Sequence, residues 1–315
     1  MTIALVLVAY AVGVGTLGAR RLGRAGWTAR APLLAIVTYL VAEWSVLAAL
    51  GLAGLTLAVH ASVLGGGLSH LIGACVLRLR ATYATPGGAT VAGLGLTLAG
   101  AVVARAALTM VTHLRATGRQ SLHHAQTARL AGRADPVLGA TLLDHPEPAA
   151  YCVAGRQPTV VLTVGAVQAL EPDQLHMVLA HERAHLAGHH HQLIAMARIG
   201  RQVLPFVPLM RAADAQVARL AEMHADDTAT RTRDPRPLAT ALVVLAAGGS
   251  PGPALGAAAT DAVARIHRLL RPAEPLGRGR RRLLRLTAAS LALTPVLLAL
   301  APALLALALG RVPGA

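Results

Sequence analysis

The sequence predicts a mostly α membrane protein, with about four transmembrane helices and an α+β segment inserted before the last of them. Three observations carry this expectation. The 315 residues are 55% apolar and have a mean hydropathy of +0.56, too oily for an ordinary soluble chain of this length. Four runs approach or exceed the roughly 20 apolar residues that a helix needs to cross a hydrocarbon core. Between the third and fourth runs, a β-branched stretch at 159–164 followed by a helical pattern from about 172 marks a folded α+β segment.

The first run, 2–18, is followed rather than preceded by arginines at 20, 21, 24 and 30, so it reads as a retained helix and not as a cleaved leader. The second, 32–59, is interrupted by Glu43 beside Trp44. An unpaired charge facing lipid is costly, so Glu43 is expected to face a neighbouring helix or a polar cavity. The third, 88–112, has glycines spaced for close helix packing and Arg105 toward one end, and the fourth, 286–310, is nearly continuous Leu and Ala. The expected domains are a membrane region over 1–112, an inserted domain over 113–283 and a last span with a short tail over 284–315.

Arginine placement sets the expected orientation. The 19–31 loop and the group Arg278, Arg280, Arg281, Arg282 and Arg285 flank membrane spans, and the positive-inside rule puts both in the cytosol. The N-terminus, the 60–87 loop and the C-terminal tail then lie outside, and the inserted domain inside. This distribution also answers the net charge of +15: the arginines sit at membrane flanks, without a recognisable nucleic-acid-binding module or interleaved aromatics, and no nucleic-acid partner is expected. The basic residues are all arginine, which fits the coding bias of a GC-rich bacterial genome, and so a bacterial plasma membrane. Cys75 and Cys152 lie far apart and form no CxxC pair, so both are expected to be ordinary buried thiols.

Within the inserted segment, Asp144-His145-Pro146-Glu147-Pro148 reads as a loop preceding the folded core. Glu171-Pro172-Asp173-Gln174 reads as a helix start, and the helix is expected to run to about 189. Leu175, Val178, Leu179, Glu182, His185 and Leu186 share one stripe of it, so its buried face contains ionisable groups. Burying an unpaired carboxylate is expensive, and a metal ion beside His181 and His185 would satisfy Glu182 and both histidines together. Histidines at i and i+4 reach one Zn²⁺, and the residue after the first His faces the open coordination position, where Glu182 can act as general base.

Two assignments compete for the third ligand. Downstream, Glu222 and Asp226 in Glu222-Met223-His224-Ala225-Asp226 lie four apart on one helix face. Glu222 can complete the ligand set, and Asp226 can orient a ligating imidazole. The alternative for Asp226 is an exposed acid paired with Arg219. Alternatively, His181-x3-His185-x2-Gly188-x2-His191 fits the longer metzincin pattern with His191 as third ligand, which needs the helix to stop at Gly188 and turn back. Otherwise the run His189-His190-His191 is a polar helix end. Glu222 is the favoured reading.

On the HERAH motif at 181–185 and EMHAD at 222–226, with the strand-like pair at 151–155 and 158–165 before the helix, the sequence resembles the membrane gluzincin peptidases. These include the HtpX and CAAX-prenyl-protease type and the beta-lactam-sensing antirepressor type. The resemblance covers about residues 149–271. It implies a zincin-type (HExxH) fold, one zinc ion per chain on His181, His185 and Glu222, Glu182 as general base and Asp226 in support. The antirepressor type has a similar four-span layout but carries an extracellular sensor domain after its last span. This sequence ends at Ala315, and antibiotic sensing is not expected.

The expected function is a membrane-embedded zinc metalloendopeptidase acting on protein or peptide substrates, a transcriptional repressor among them, in signalling or in membrane-protein quality control. The other class is a proteolytically inactive membrane sensor retaining the zincin fold, against which the intact Glu182 argues. Independently of the resemblance, Thr159–Val164 reads as a strand. If it lies at a sheet edge, Val160, Val161 and Leu162 would bind extended substrate by β-augmentation; otherwise it is core sheet.

Overall fold

The computed structural model describes residues 2–58, 88–155, 158–248, 255–271 and 274–308. Cys75, the 60–87 loop, the glycine- and proline-rich break at 249–253 and the C-terminal tail from 309 lie outside the described residues.

The described chain is mainly helical, with one small mixed sheet. Helix α1 (Thr2–Gly13) continues through a π-helical turn (Val14–Gly18) into α2 (Ala19–Gly23). A 3-10 turn at Thr28–Arg30 leads to α3 (Pro32–Ala58), and α4 (Gly88–Ala131) is one long helix. Among the described residues, four stretches are long and apolar enough to cross a membrane: Thr2–Gly23, Pro32–Leu57, Thr90–His113 and Arg278–Ala301. All four overlap the four expected spans. Tyr10 ties three of these helices together, its hydroxyl lying 3.0 Å from both Ser45 Oγ on α3 and the Leu291 carbonyl on the last helix.

After α4 come β1 (Gly132–Asp135), β2 (Ala140–Leu143), β3 (Ala150–Val153) and β4 (Thr159–Thr163), in the spatial order β1-β2-β4-β3. The sheet therefore begins before the proline-rich loop at 144–148, which connects β2 to β3 rather than preceding the fold. Strand β4 pairs parallel with β2 and antiparallel with β3. It is an internal strand, and the expectation that Val160, Val161 and Leu162 form a substrate-binding edge is corrected. Val161 and Leu162 are fully buried and Val160 nearly so, with both faces of the strand covered, as a continuous β-branched run suits. The free edge next to β4 belongs to β3.

Thr163 ends β4 and caps α5 (Val164–Ala169), its hydroxyl accepting from the Ala166 N–H at 3.1 Å and donating to the Glu147 carbonyl at 2.8 Å. Then follow α6 (Pro172–Ala187), α7 (His190–Val203), α8 (Pro208–Ala229), α9 (Arg236–Gly248), α10 (Leu255–Leu270) and α11 (Arg278–Ala308). The start of α6 is as expected: Pro172 opens it, and Gln174 Oε1 accepts from the Glu171 N–H at 3.2 Å.

Packing ties the membrane helices to the inserted segment. Position 112 falls inside α4 and position 283 inside α11. Ala197, Ile199 and Val203 of α7 and Met210, Ala213, Val217 and Leu220 of α8 share one core with Ile36, Tyr39 and Val46 of α3. Arg105 on α4 caps the C-terminal end of α7, donating to the carbonyls of Val203 at 2.9 Å and Gln202 at 2.8 Å. Glu43 is fully buried and faces α7, where a Cβ at Gly200 would overlap its carboxyl group. Neither carboxyl oxygen has a hydrogen-bond partner among the described residues.

Candidate metal centre

Helix α6 buries Leu175, Val178 and Leu179 against the sheet, in a cluster with Val160, Leu162 and Ala166. That contact fixes the rotation of α6 and turns the next two turns of the same stripe, Glu182 and His185, into a cleft of about 420 Å³. The cleft is lined by α6, α8, α9, α10 and β3.

Three of the sequence-selected residues converge there. His181 Nε2 and His185 Nε2 are 3.1 Å apart, and each lies 3.4 Å from a different carboxylate oxygen of Glu222. The donor atoms of His181, His185 and Glu222 all fall within 4.8 Å of one another, a set that fits one ion. Two imidazole nitrogens and one carboxylate oxygen, with the fourth direction open to the cleft, is the donor chemistry of a catalytic zinc site. Glu182, one residue on from His181, lines the cleft, as does Cys152 of β3. The Glu182 carboxylate faces the Cys152 thiol, and burial together with this negative charge pushes the thiol up to about 12.

Asp226 stands behind His181. It is fully buried, and its Oδ1 lies 3.0 Å from His181 Nδ1, an approach too oblique for a well-formed hydrogen bond. Its strong partner is not Arg219, which instead lies 3.7 Å from Asp261, but Arg265 of α10. Arg265 Nε donates to Oδ2 at 2.9 Å and Nη2 to Oδ1 at 2.7 Å, while Nη1 reaches Glu222 Oε2 at 2.8 Å. Burial would raise the Asp226 carboxyl, but Arg265 and His181 outweigh it and hold it below its usual range. Burial likewise opposes a charged His181, yet its contacts with Asp226 and Glu222 prevail and push it up to about 9.

Helix α6 ends at Gly188, and His189 takes the left-handed conformation at φ 50°. The chain does turn back, as the metzincin pattern requires, but the histidine it returns to the centre is His190. A Cβ at Gly188 would lie 2.5 Å from His190 Nε2, so the missing side chain admits that ring. His190 Nδ1 is 2.9 Å from His185 Nδ1, the nitrogen turned away from the cluster, and His190 Nε2 is 2.8 Å from His224 Nδ1. Burial and the neighbouring imidazoles pull His190 down to about 4, which keeps it neutral. His191 is exposed, its ring 6.4 Å from that of His189, and it takes no part in the cluster. The run 189–191 is therefore not uniformly a polar helix end, because His190 is buried.

Arg265, His190 and Cys152 were not singled out as site residues from the sequence. For Arg265 a signal existed: it lies three residues after Ala262 and four before Leu269, on the buried stripe of α10.

Residues 114–269 match the sequence profile of peptidase family M48. Over this segment the chain is similar to that family. The M48 segment contains every residue of the cluster and of its surrounding shell, and the family is one of metal-dependent peptidases. The resemblance to membrane gluzincin peptidases is consistent with this assignment, within a chain that also carries four helices apolar and long enough to span a bilayer. No solved structure matches the chain significantly.

Proposed function

We propose that this protein is a membrane-embedded zinc endopeptidase that cuts protein chains close to the bilayer. The observation that carries the reading is the convergence of His181 Nε2, His185 Nε2 and the Glu222 carboxylate beside Glu182 in one cleft. These three residues would hold zinc, which supplies Lewis acidity to water and to the scissile carbonyl. Glu182 would accept a proton from the attacking water and deliver it to the leaving amine. Asp226 Oδ1 lies 3.0 Å from His181 Nδ1 and His190 Nδ1 lies 2.9 Å from His185 Nδ1, so on both imidazoles Nδ1 faces the surrounding residues and Nε2 faces the cleft.

The outer edge of β3 supports an extended substrate: Ala150, Tyr151 and Cys152 line the cleft, and among the described residues no strand pairs with that edge, which leaves it available for β-augmentation. Opposite, Leu238, Leu242 and Leu245 of α9 with Val178 form an apolar wall suited to an aliphatic side chain beside the scissile bond. The arginine-rich entries to α3 and α11 lie at one face, since Arg30 and Arg281 line a common cavity, which supports a cytosolic cleft by the positive-inside rule. Repressor cleavage and quality control are both compatible with such a cleft.

The test is zinc content and proteolysis of full-length protein in detergent, comparing wild type with Glu182→Ala, Glu222→Ala and His191→Ala. Glu182→Ala should keep zinc and lose cleavage, Glu222→Ala should lose zinc, and His191→Ala should keep both. Wild-type protein that binds no zinc would overturn the reading, and zinc binding without cleavage of any protein substrate would favour the inactive sensor.

A further inference from the structure

A second cavity, of about 440 Å³, lies between the start of α3, the C-terminal half of α8 and the start of α11, outside the metal centre. Its polar lining is Arg30, Arg231, Arg281 and Arg285, with His224 and Asp227. Asp227 offers these arginines little, because Arg268 Nη2 already holds its Oδ1 at 2.6 Å. None of the four arginines has an ion-pair partner among the described residues. Four like charges around one hollow repel each other, and among the described residues the one carboxylate in the lining, Asp227, is already paired with Arg268. The α3 helix also begins here, at Pro32, with its positive dipole end at the cavity.

The other wall is apolar. Leu33, Leu34 and Val37 line it, on the first turns of the α3 span, and Leu33 and Val37 are 44% and 41% exposed on the surface that continues along that span. Arg281 and Arg285 sit at the matching level of α11, where its own apolar stretch begins. The cavity is thus cationic at the level of the span entries and greasy below.

We infer that this cavity binds the phosphate headgroup of an anionic phospholipid, the guanidinium groups of Arg30, Arg231, Arg281 and Arg285 taking the phosphate and the Leu33–Val37 face taking the acyl chains. Planar guanidinium forks suit phosphate oxygens, and an anionic headgroup offsets part of the charge of four arginines that have no ion-pair partner among the described residues. The inference rests on the apolar helices lying in a bilayer and does not depend on the chemistry at the metal centre.

The experiment is lipid retention by the full-length protein, with phosphatidylglycerol and phosphatidylcholine offered in equal amounts in mixed micelles and bound lipid counted by native mass spectrometry. Wild type should retain phosphatidylglycerol in preference. Arg281→Ala/Arg285→Ala should weaken that preference by an order of magnitude or more, whereas Arg278→Ala/Arg282→Ala, which removes the same charge from the same helix outside the cavity, should keep it. Arg30→Gln/Arg231→Gln tests the cavity from its other walls should the first pair fail to fold. No preference in wild type, or equal loss in the cavity and control pairs, overturns the site. Displacement of the lipid by millimolar inorganic phosphate would assign the cavity to a free anion and overturn the lipid.

Discussion

Arg265 holds Asp226 with two nitrogens while a third reaches the Glu222 carboxylate, so one guanidinium from α10 braces both acids of α8. Arg265→Ala leaves Asp226 charged, fully buried and without its main partner. Breaking such a pair costs about 3–5 kcal/mol, and disturbing the groups around metal ligands typically costs about 10–100-fold in metal affinity. Thermal unfolding and zinc titration of Arg265→Ala should show both losses. Arg265→Lys should recover only part of either, since a single ammonium cannot reproduce the fork. Wild-type zinc affinity in Arg265→Ala would show that the brace does not serve the site.

The metal-free centre should load zinc in a strongly pH-dependent way. His181 is held protonated up to about 9 by Asp226 and Glu222, against the effect of its burial. Zinc has to displace that proton, so apparent affinity should rise about tenfold per pH unit between neutrality and about 9 and then level off. The same raised value makes the metal-free fold most favoured below the ordinary histidine range, with that contribution lost as pH climbs through about 9. Chelator competition across this range measures the first effect; a flat affinity would contradict it.

The Cys152 thiol should be a poor nucleophile despite lining the cleft. Burial and the facing Glu182 carboxylate push it up to about 12, which leaves little thiolate at pH 8. Alkylation of Cys152 by iodoacetamide, followed by mass spectrometry, should be far slower than for a free thiol. Glu182→Gln removes the charge that raises the thiol and should speed the reaction.

Gly200 and Glu43 are expected to behave as one unit. A Cβ at Gly200 overlaps the Glu43 carboxyl group, so Gly200→Ala should destabilise the protein by about 1–3 kcal/mol through overpacking. Glu43→Ala in the same chain should relieve most of this, giving a non-additive double mutant in detergent unfolding curves. Additive losses would mean that the two helices separate easily.

The four spans, the capped start of α6 and the pairing of His181 with His185 were legible because each depends on local spacing along one helix. The convergence of Glu222 was legible from the acid pair four apart, although only the structure brings α8 against α6. Sheet order was not legible. A strand as apolar as Thr159–Thr163 reads the same at an edge or in the middle, and only the pairing of β2 with β4, around the intervening β3, makes it internal. Arg265 escaped because its partners are about forty residues away in sequence, and His190 because three successive histidines differ only in how the left-handed His189 directs them. The shared core of α3, α7 and α8 was hidden because Ala- and Leu-rich helices look alike whether they face lipid or protein.

That shared core limits how far the cleft can reach. Helix α8 carries Glu222 and Asp226 on one side and Met210, Ala213, Val217 and Leu220 on the other, packed into the core that contains α3. Because α8 packs directly on α3, the wall of the cleft that carries Glu222 is fixed to that apolar helix rather than free to swing out. An extended chain advances about 3.3 Å per residue, so under the proposed function the depth at which α8 is set would act as a ruler. Which bond is cut would then be decided as much by its distance along the substrate from the bilayer as by the side chains around it.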